Sequence, residues 1–269
     1  MTAATTSPRP AVDSDTAGSA PIPLGRLVGV ELRKLVDTRS GRWLLIAQAI
    51  LITVAMAVRS IIVGVEGESI SLWNYAWLAG SVMAFLLPVM GIMSITTEWS
   101  QRAAMTTFTL EPRRTRVVAA KLAAVVVTSI VAVAVAIVIG VAASAVAAAV
   151  GIDVTWSTDL HLLVSFAVAH VLGLLVGFAF GAMCLNTPGG LVGLLAYHSV
   201  VPALLEVGTQ QFGWFARLRP SIDFGAVLVD LSENGFAAVQ AGHVVTATAL
   251  WVGVPLTIGV RRLLRAEIT

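Results

Sequence analysis

Charged residues are scarce in this sequence: Asp, Glu, Lys and Arg together make up 12% of its 269 residues. Hydrophobic residues make up 57%, and the mean hydropathy is +0.90. A soluble domain of this length buries far fewer apolar side chains, so the composition predicts a protein that crosses a membrane several times. The net charge of +2 comes mostly from cations that flank apolar runs. Because no basic patch suited to nucleic acid is present, nucleic acid is not an expected partner.

Motifs that carry chemistry are also missing. Neither lysine, Lys34 or Lys121, follows a glycine, so the chain lacks the Gly-Lys-Ser/Thr form of the P-loop that holds nucleotide phosphates. It has no His-Glu-x-x-His, paired-cysteine or Gly-x-Ser-x-Gly signature, and its single cysteine, Cys184, excludes an intrachain disulfide. We therefore expect no enzyme activity, no bound metal and no bound cofactor; any ATP is expected on a partner subunit.

Long uncharged runs predict six transmembrane helices, because a bilayer core about 30 Å thick needs about 20 helical residues. Residues 160–205 include no Asp, Glu, Lys or Arg, and this run is too long for one crossing. Its only strong turn signal, at 186–190, divides it into a fourth span and a short fifth span. The other predicted spans are 43–63, 72–97, 122–152 and 241–260.

The distribution of cations predicts the orientation. Fourteen of the 17 Lys and Arg residues lie before the first span, after the second or after the last. The positive-inside rule places these segments and both termini in the cytoplasm, in a multi-pass protein of the cytoplasmic (inner) membrane. Residues 1–23, rich in Ala, Thr, Ser and Pro, are expected to form a disordered cytoplasmic tail, and 24–269 a single six-span domain.

Two segments on the predicted cytoplasmic side stand out. In 24–37 the apolar side chains share one helical face, which predicts an interfacial helix. Segment 96–121 contains five cations, and Pro112 should end or redirect a short helix at Glu111. Lipid headgroups alone could satisfy these cations. Docking of a soluble partner is the better interpretation, because the loop is longer than a helical hairpin needs.

Ionisable side chains within spans are costly in lipid and often functional. His170 and His198 are each either a proton-relay or substrate contact, or a neutral imidazole bonded to a neighbouring helix. Glu206, near the outer end of the fifth span, either faces a pore or lies among water and headgroups.

Two further patterns concern packing and the last connection. Small residues at every fourth position predict close helix packing, and they are Gly173, Gly177 and Gly181 in the fourth span and Gly140, Ser144 and Ala148 in the third. Residues 208–240 mix aromatic and charged side chains, which fits either an interfacial or re-entrant hairpin or an ordinary outer loop.

The order of these parts resembles bacterial ABC transporter permeases of the type 2 exporter family. One local likeness is the amphipathic segment ending in Glu31-Leu32-Arg33-Lys34-Leu35 with Thr38-Arg39-Ser40. The other is the basic loop, with Glu98, Thr109-Leu110-Glu111-Pro112, the cluster at 113–116, and Lys121. The glycine that this family usually has shortly after the first glutamate is missing here, with Ala103 and Ala104 in the region.

The resemblance implies an all-α membrane protein with an N-terminal elbow helix, a cytoplasmic coupling helix and a re-entrant hairpin before the last span. It also implies a second permease subunit, identical or different, and a separate ATPase subunit. The residues expected to dock the ATPase are Glu31, Arg33, Lys34, Glu98, Arg102, Glu111, Arg113 and Arg114. His198 and Glu206 are the candidates for residues that line the pathway. No residue of the sequence points to a particular transported substrate.

Two other functions fit the same residues. A membrane scaffold or regulator could use the basic loop to recruit a partner that is not an ATPase. A secondary carrier could use His170 or His198 to move protons.

Overall fold

A computed structural model describes residues 22–100 and 113–265 of the chain, with the side chains of 98–100 left out. In the described residues, ten α-helices follow one another along the chain. They are α1 Leu24–Asp37, α2 Arg39–Glu66, α3 Leu72–Ser100, α4 Arg114–Ala149, α5 Leu160–Cys184, α6 Thr187–Gln211, α7 Phe215–Ile222, α8 Phe224–Asn234, α9 Ala241–Thr248 and α10 Val254–Arg265. A π-helical turn, Ala249–Gly253, joins the last two into one rod. Two short strands, Ile70–Ser71 and Val154–Thr155, pair in parallel and join the start of α3 to the end of α4.

Six helices in the described part of the chain are long and apolar enough to cross a membrane, as the sequence predicts. They are Arg39–Glu66, Leu72–Thr97, Arg114–Ala149, Leu160–Cys184, Thr187–Gln211 and Ala241–Arg265. The third is the longest, because the helix already begins inside the basic cluster, at Arg114. The predicted disordered tail and the centre of the basic loop lie outside the described residues, apart from Ile22 and Pro23.

The fourth and fifth spans separate where the sequence places its turn. Leu185 adopts a left-handed backbone conformation, with φ of 54°. The side chain of Asn186 then accepts a hydrogen bond from the Gly189 amide at 2.6 Å and so caps α6. The fifth span has 25 residues, the same as the fourth, and is not short. It continues past Pro202 to Gln211, so the charged side chain of Glu206 does not end the helix.

The closest packing in the bundle is between α3 and α5, where glycines let two backbones meet. A Cβ atom at Gly177 would overlap the carbonyl group of Pro88, and one at Gly91 would overlap the carbonyl oxygen of Leu174. Gly181 packs on Ile92 in the same way. The predicted small-residue interface is therefore present at Gly177 and Gly181 but not at Gly173, where a Cβ atom would meet only Leu228 Cδ1, at 3.8 Å. In α4, by contrast, Gly140 and Ser144 are buried but Ala148 is exposed.

Three of the described helices, α1, α7 and α8, lie outside the six spans. Helix α1 buries Glu31, whereas Leu24, Val30 and Val36 are nearly half exposed. Helices α7 and α8 form a helical hairpin between the fifth and sixth spans. Its second arm packs on α5 and buries three apolar side chains, Phe224, Val227 and Leu231.

Candidate functional site

The two ends of the bundle differ in charge. One end, here called the basic end, gathers α1, the starts of α2, α4 and α6, and the ends of α3, α5 and α10. The cations described there are Arg26, Arg33, Lys34, Arg39, Arg42, Arg113, Arg114, Arg116, Lys121, Arg261, Arg262 and Arg265. Only Glu31 and Asp37 are carboxylates with described side chains at this end. An anionic surface or an acidic partner would therefore be attracted to it.

A buried ion pair joins three helices at the basic end. The Nζ atom of Lys121 lies 2.6 Å from Oε2 of Glu31, and the two side chains are 5% and 9% exposed. Lys121 also donates to the carbonyl of Ser94 in α3, at 3.3 Å. The second carboxylate oxygen of Glu31 accepts a hydrogen bond from Lys34 at 2.8 Å. A charge pair with several hydrogen bonds tolerates burial, so it holds α1 against the end of α3 and the start of α4.

Three arginines tie the ends of other elements to the same region through backbone carbonyls. Arg116 donates to Ile22, just before α1. Arg114 donates to Leu263 at 3.0 Å and to Leu264 at 3.3 Å. Arg262 donates to Met183 at 2.6 Å. Carbonyls in the last turn of a helix have no hydrogen-bond donor within the helix, and the helix dipole favours cations there. The basic end is thus cross-linked by its own arginines.

The residues predicted to dock a partner fall into three groups. Arg33 and Arg113 are exposed at the surface of the basic end. Glu31, Lys34 and Arg114 make contacts within the protein. The remaining three, of which only Glu98 falls within a described helix, have no described side chain: Glu98, Arg102 and Glu111. The docking role of all eight stays a prediction.

A cavity of about 470 Å³ lies between α3, α5, α6 and the hairpin arm α8. Its wall is mostly apolar, with Met83, Phe85, Phe166, Phe224 and Leu228 among the residues that line it. Volumes of roughly 300–1,000 Å³ with a few convergent polar groups are typical of small-molecule sites. The polar groups here are the side chains of Ser81, His170, Tyr197, His198, Asp223, Ser232 and Glu233, together with the indole of Trp77.

The two histidines of the spans have different surroundings in this cavity. His170 is buried, and its ring nitrogens lie 2.7 Å from the carbonyl of Phe166 and 3.2 Å from that of Gly80. It therefore links α5 to α3, which agrees with the second of the two predicted roles, an imidazole bonded to a neighbouring helix. His198 is half-buried, packs its ring on Phe85, and has no hydrogen-bond partner for Nε2 among the described residues. Only His198 is available to a ligand through its ring nitrogen.

Glu206, the second pathway candidate, is not part of the cavity wall. Its Oε2 atom lies 2.6 Å from Nη1 of Arg219 on the hairpin, while the Nε atom of Arg219 lies 3.3 Å from Asp223. The hydrogen bond from Arg219 to Glu206 raises the pKa of the guanidinium. Arg219 therefore remains a cation between the carboxylates of Glu206 and Asp223, and it ties the hairpin to the end of α6.

Three polar features at the cavity were not anticipated from the sequence. They are the buried hydroxyl of Tyr197, the capping carboxylate of Asp223, and the hydrogen bond from Trp77 Nε1 to Glu233 Oε1 at 2.7 Å. Trp77 and Glu233 are 156 positions apart, so no local pattern joins them. The mixture of aromatic and charged residues in 208–240 was the only available signal.

No group of three or more His, Cys, Asp or Glu side chains within 22–100 and 113–265 is arranged to hold a metal ion. The chain matches no protein-family model and no curated protein sequence.

Proposed function

We propose that this protein is the membrane-spanning permease subunit of an ATP-driven exporter. In this function the chain forms half of a translocation pathway in the cytoplasmic (inner) membrane. The basic end and both termini face the cytoplasm, where a separate ATPase subunit docks. Support comes from the six apolar spans, from the charge difference between the two ends of the bundle, and from the absence of a P-loop in the chain.

The observation that carries the proposal is the buried pair of Glu31 and Lys121. It connects α1, the proposed elbow helix, directly to the start of α4, and Lys121 reaches the carbonyl of Ser94 near the end of α3. Residues 98–112, which include the proposed coupling helix, connect α3 to α4. A partner that pushes on either α1 or that segment would therefore move α3 and α4 together. In this arrangement Glu31 and Lys34 position the elbow, while Arg33 and Arg113 face the partner.

A second permease subunit, identical or different, completes the proposed pathway. The spans α2 and α6 bury less of their apolar surface within the chain than α3 and α5 do. These outward faces provide apolar surface for lipid and for a second subunit. In this proposal helices α7 and α8 are the re-entrant hairpin, and the ion pair of Arg219 with Glu206 holds them to α6.

Co-purification in a mild detergent tests the docking proposal. Tagged protein is expected to bring down an ATPase subunit that hydrolyses ATP, and Arg113→Glu is expected to weaken that association at least tenfold, because it reverses an exposed cation. Arg261→Glu is the matched control, since Arg261 is also exposed at the basic end but lies on α10. Arg114 is less suitable for this test, because its hydrogen bonds to Leu263 and Leu264 stabilise the bundle itself.

Two results would contradict the proposal. One is the recovery of the tagged chain with a stable partner that has no ATPase activity, which favours a scaffold. The other is equal loss of the ATPase with Arg113→Glu and Arg261→Glu, which reduces the contact to general attraction by the basic end.

A further inference from the structure

The shape and wall of the cavity between α3, α5, α6 and α8 favour a ligand with an apolar body. Phe85, Phe166 and Phe224 contribute aromatic rings, and Met83 adds a flexible side chain that adapts to different shapes. A body built of aromatic or branched aliphatic groups would gain most from this wall, because apolar area removed from water stabilises a complex.

One polar edge of the cavity carries an uncompensated negative charge. Glu233 accepts a hydrogen bond from the neutral indole of Trp77, at 2.7 Å, and pairs with no Lys, Arg or His among the described residues. Asp223, the other carboxylate of the wall, is already paired with Arg219. The face of an indole attracts cations, and a nearby carboxylate adds to that attraction. Trp77 and Glu233 together therefore favour a positively charged group.

A buried polar atom in the same cavity lacks a partner. Tyr197 is 5% exposed, yet its hydroxyl makes no hydrogen bond with any described residue. A buried hydroxyl left without a hydrogen-bond partner is unfavourable, and a ligand atom in the cavity that bonds to it would remove that cost. The Tyr197 ring contacts the rings of His198 and Trp251, so it also extends the aromatic wall.

The end of the bundle opposite the basic end, here called the acidic end, carries a net negative charge. Eight carboxylates and three arginines lie there. The carboxylates are Glu66, Glu68, Asp153, Asp159, Glu206, Asp223, Asp230 and Glu233, and the arginines are Arg59, Arg217 and Arg219. A surface of one sign raises the local concentration of ligands of the opposite sign. Cations are therefore concentrated, and anions depleted, near the cavity.

We propose that this cavity is a binding site for an organic cation: a molecule with an apolar, largely aromatic body and a positively charged group that lies against Trp77 and Glu233. As a statement about the exported cargo, this inference rests on the proposed transport function. Binding by the chain alone requires neither ATP nor an ATPase subunit.

Two probes of matched shape and opposite charge test the site: tetraphenylphosphonium and tetraphenylborate. Their binding to the purified chain in phosphatidylcholine nanodiscs is measured by equilibrium dialysis, with empty nanodiscs as the background. Saturable binding of the cation, at least tenfold tighter than that of the anion, is the expected result. Equal binding of the two probes, or no saturable binding of the cation above background, would overturn the proposal.

A conservative variant locates the charge. Glu233→Gln keeps an acceptor for the Trp77 indole and removes the negative charge, so affinity for the cation is expected to fall about tenfold. Asp230→Asn is the matched control, because Asp230 is an exposed carboxylate on the same helix and outside the cavity wall. Equal losses in the two variants would show only general attraction by the acidic end and would overturn the site.

A second variant locates the body of the ligand. A Cβ atom at Gly173 would have Leu228 Cδ1 as its nearest neighbour, at 3.8 Å, so Gly173→Leu fills part of the cavity without a backbone clash at Cβ. It is expected to lower the affinity for the cation at least tenfold, and an unchanged affinity would place the probe elsewhere. These measurements use the isolated chain, so their failure leaves the ATPase co-purification result standing, and the reverse also holds.

Discussion

Glu31 and Lys121 form an ion pair, with 2.6 Å between Oε2 and Nζ, that joins α1 to the third span. Both side chains are almost fully buried, although α1 lies at the end of the bundle and exposes Leu24 and Val36. The side of α1 that faces the bundle thus carries the ion pair and Leu35, whereas Leu24 and Val36 lie on its exposed side. The pair is one of several contacts that hold α1 in place, together with the hydrogen bond from Arg116 to Ile22 and the packing of Leu35 on the core.

Removal of one partner of this pair is expected to destabilise the protein strongly. Lys121→Met leaves the Glu31 carboxylate buried with Lys34 as its remaining cation, and a broken buried pair costs about 3–5 kcal/mol. The free energy of unfolding, measured by denaturant titration in mixed micelles, should fall by an amount of this order.

A double variant separates the loss of the charge pair from a loss of packing. With Glu31→Gln and Lys121→Met together, neither charge of this pair remains to be left buried without its partner, so most of the lost stability should return. Arg33→Gln, an exposed change on the same helix, should stay within about 0.5 kcal/mol of the parent. A double variant no more stable than Lys121→Met would contradict the ionic explanation.

The contact between α3 and α5 should be sensitive to a single methyl group. Gly177→Ala places a Cβ atom against the Pro88 carbonyl, so the two helices must separate, and the free energy of unfolding should fall by about 1–3 kcal/mol or more. Thermal unfolding, monitored by size-exclusion chromatography, provides the measurement.

Gly173→Ala is the matched control on the same helix. Its nearest neighbour is 3.8 Å away, an ordinary contact, and alanine favours helix over glycine by up to about 1 kcal/mol. The control should therefore be neutral or slightly stabilising. Equal losses at the two positions would mean that α5 tolerates no side chain for a reason other than the approach of α3.

The orientation of the bundle is testable with single cysteines in a Cys184→Ser background. Thr115 at the basic end and Asp230 at the acidic end are both exposed. A membrane-impermeant maleimide added to spheroplasts should label Asp230→Cys at once and Thr115→Cys only after permeabilisation, because cation-rich segments stay in the cytoplasm. The opposite labelling pattern would reverse the assignment of the two ends.

The six spans were predictable because each depends on local properties of the chain. A helix that crosses a bilayer satisfies its own backbone hydrogen bonds, so length and hydropathy identify it without knowledge of its neighbours. The turn at Asn186 was equally local, since its side chain caps the helix that starts at the next residue. The length of the fifth span was predicted less well, because α6 continues through Pro202, and the charge of Glu206 is paired with Arg219 of the hairpin.

The residues of the cavity were predicted only in part. His198, singled out in the sequence as an ionisable group within a span, lines the cavity, and its role in a pathway stays a prediction. Glu206 lies outside the cavity wall, because its carboxylate pairs with Arg219 on the hairpin, 13 positions away. Glu31 was singled out in the sequence as a docking residue and Lys121 as the last cation before the third span, but their contact spans 90 positions and has no local signature.

By itself, the sequence determined that the chain has six helices long and apolar enough to cross a membrane, that the fourth and fifth are separated at Asn186, and which segments carry the positive charge. These properties follow from hydropathy, turn chemistry and charge over short stretches of chain. Only the tertiary structure decided that Glu31 is buried against Lys121, and that Trp77, Tyr197 and Glu233 line one cavity. Those relationships depend on which helix faces pack together, and side chains distant along the chain settle that choice jointly.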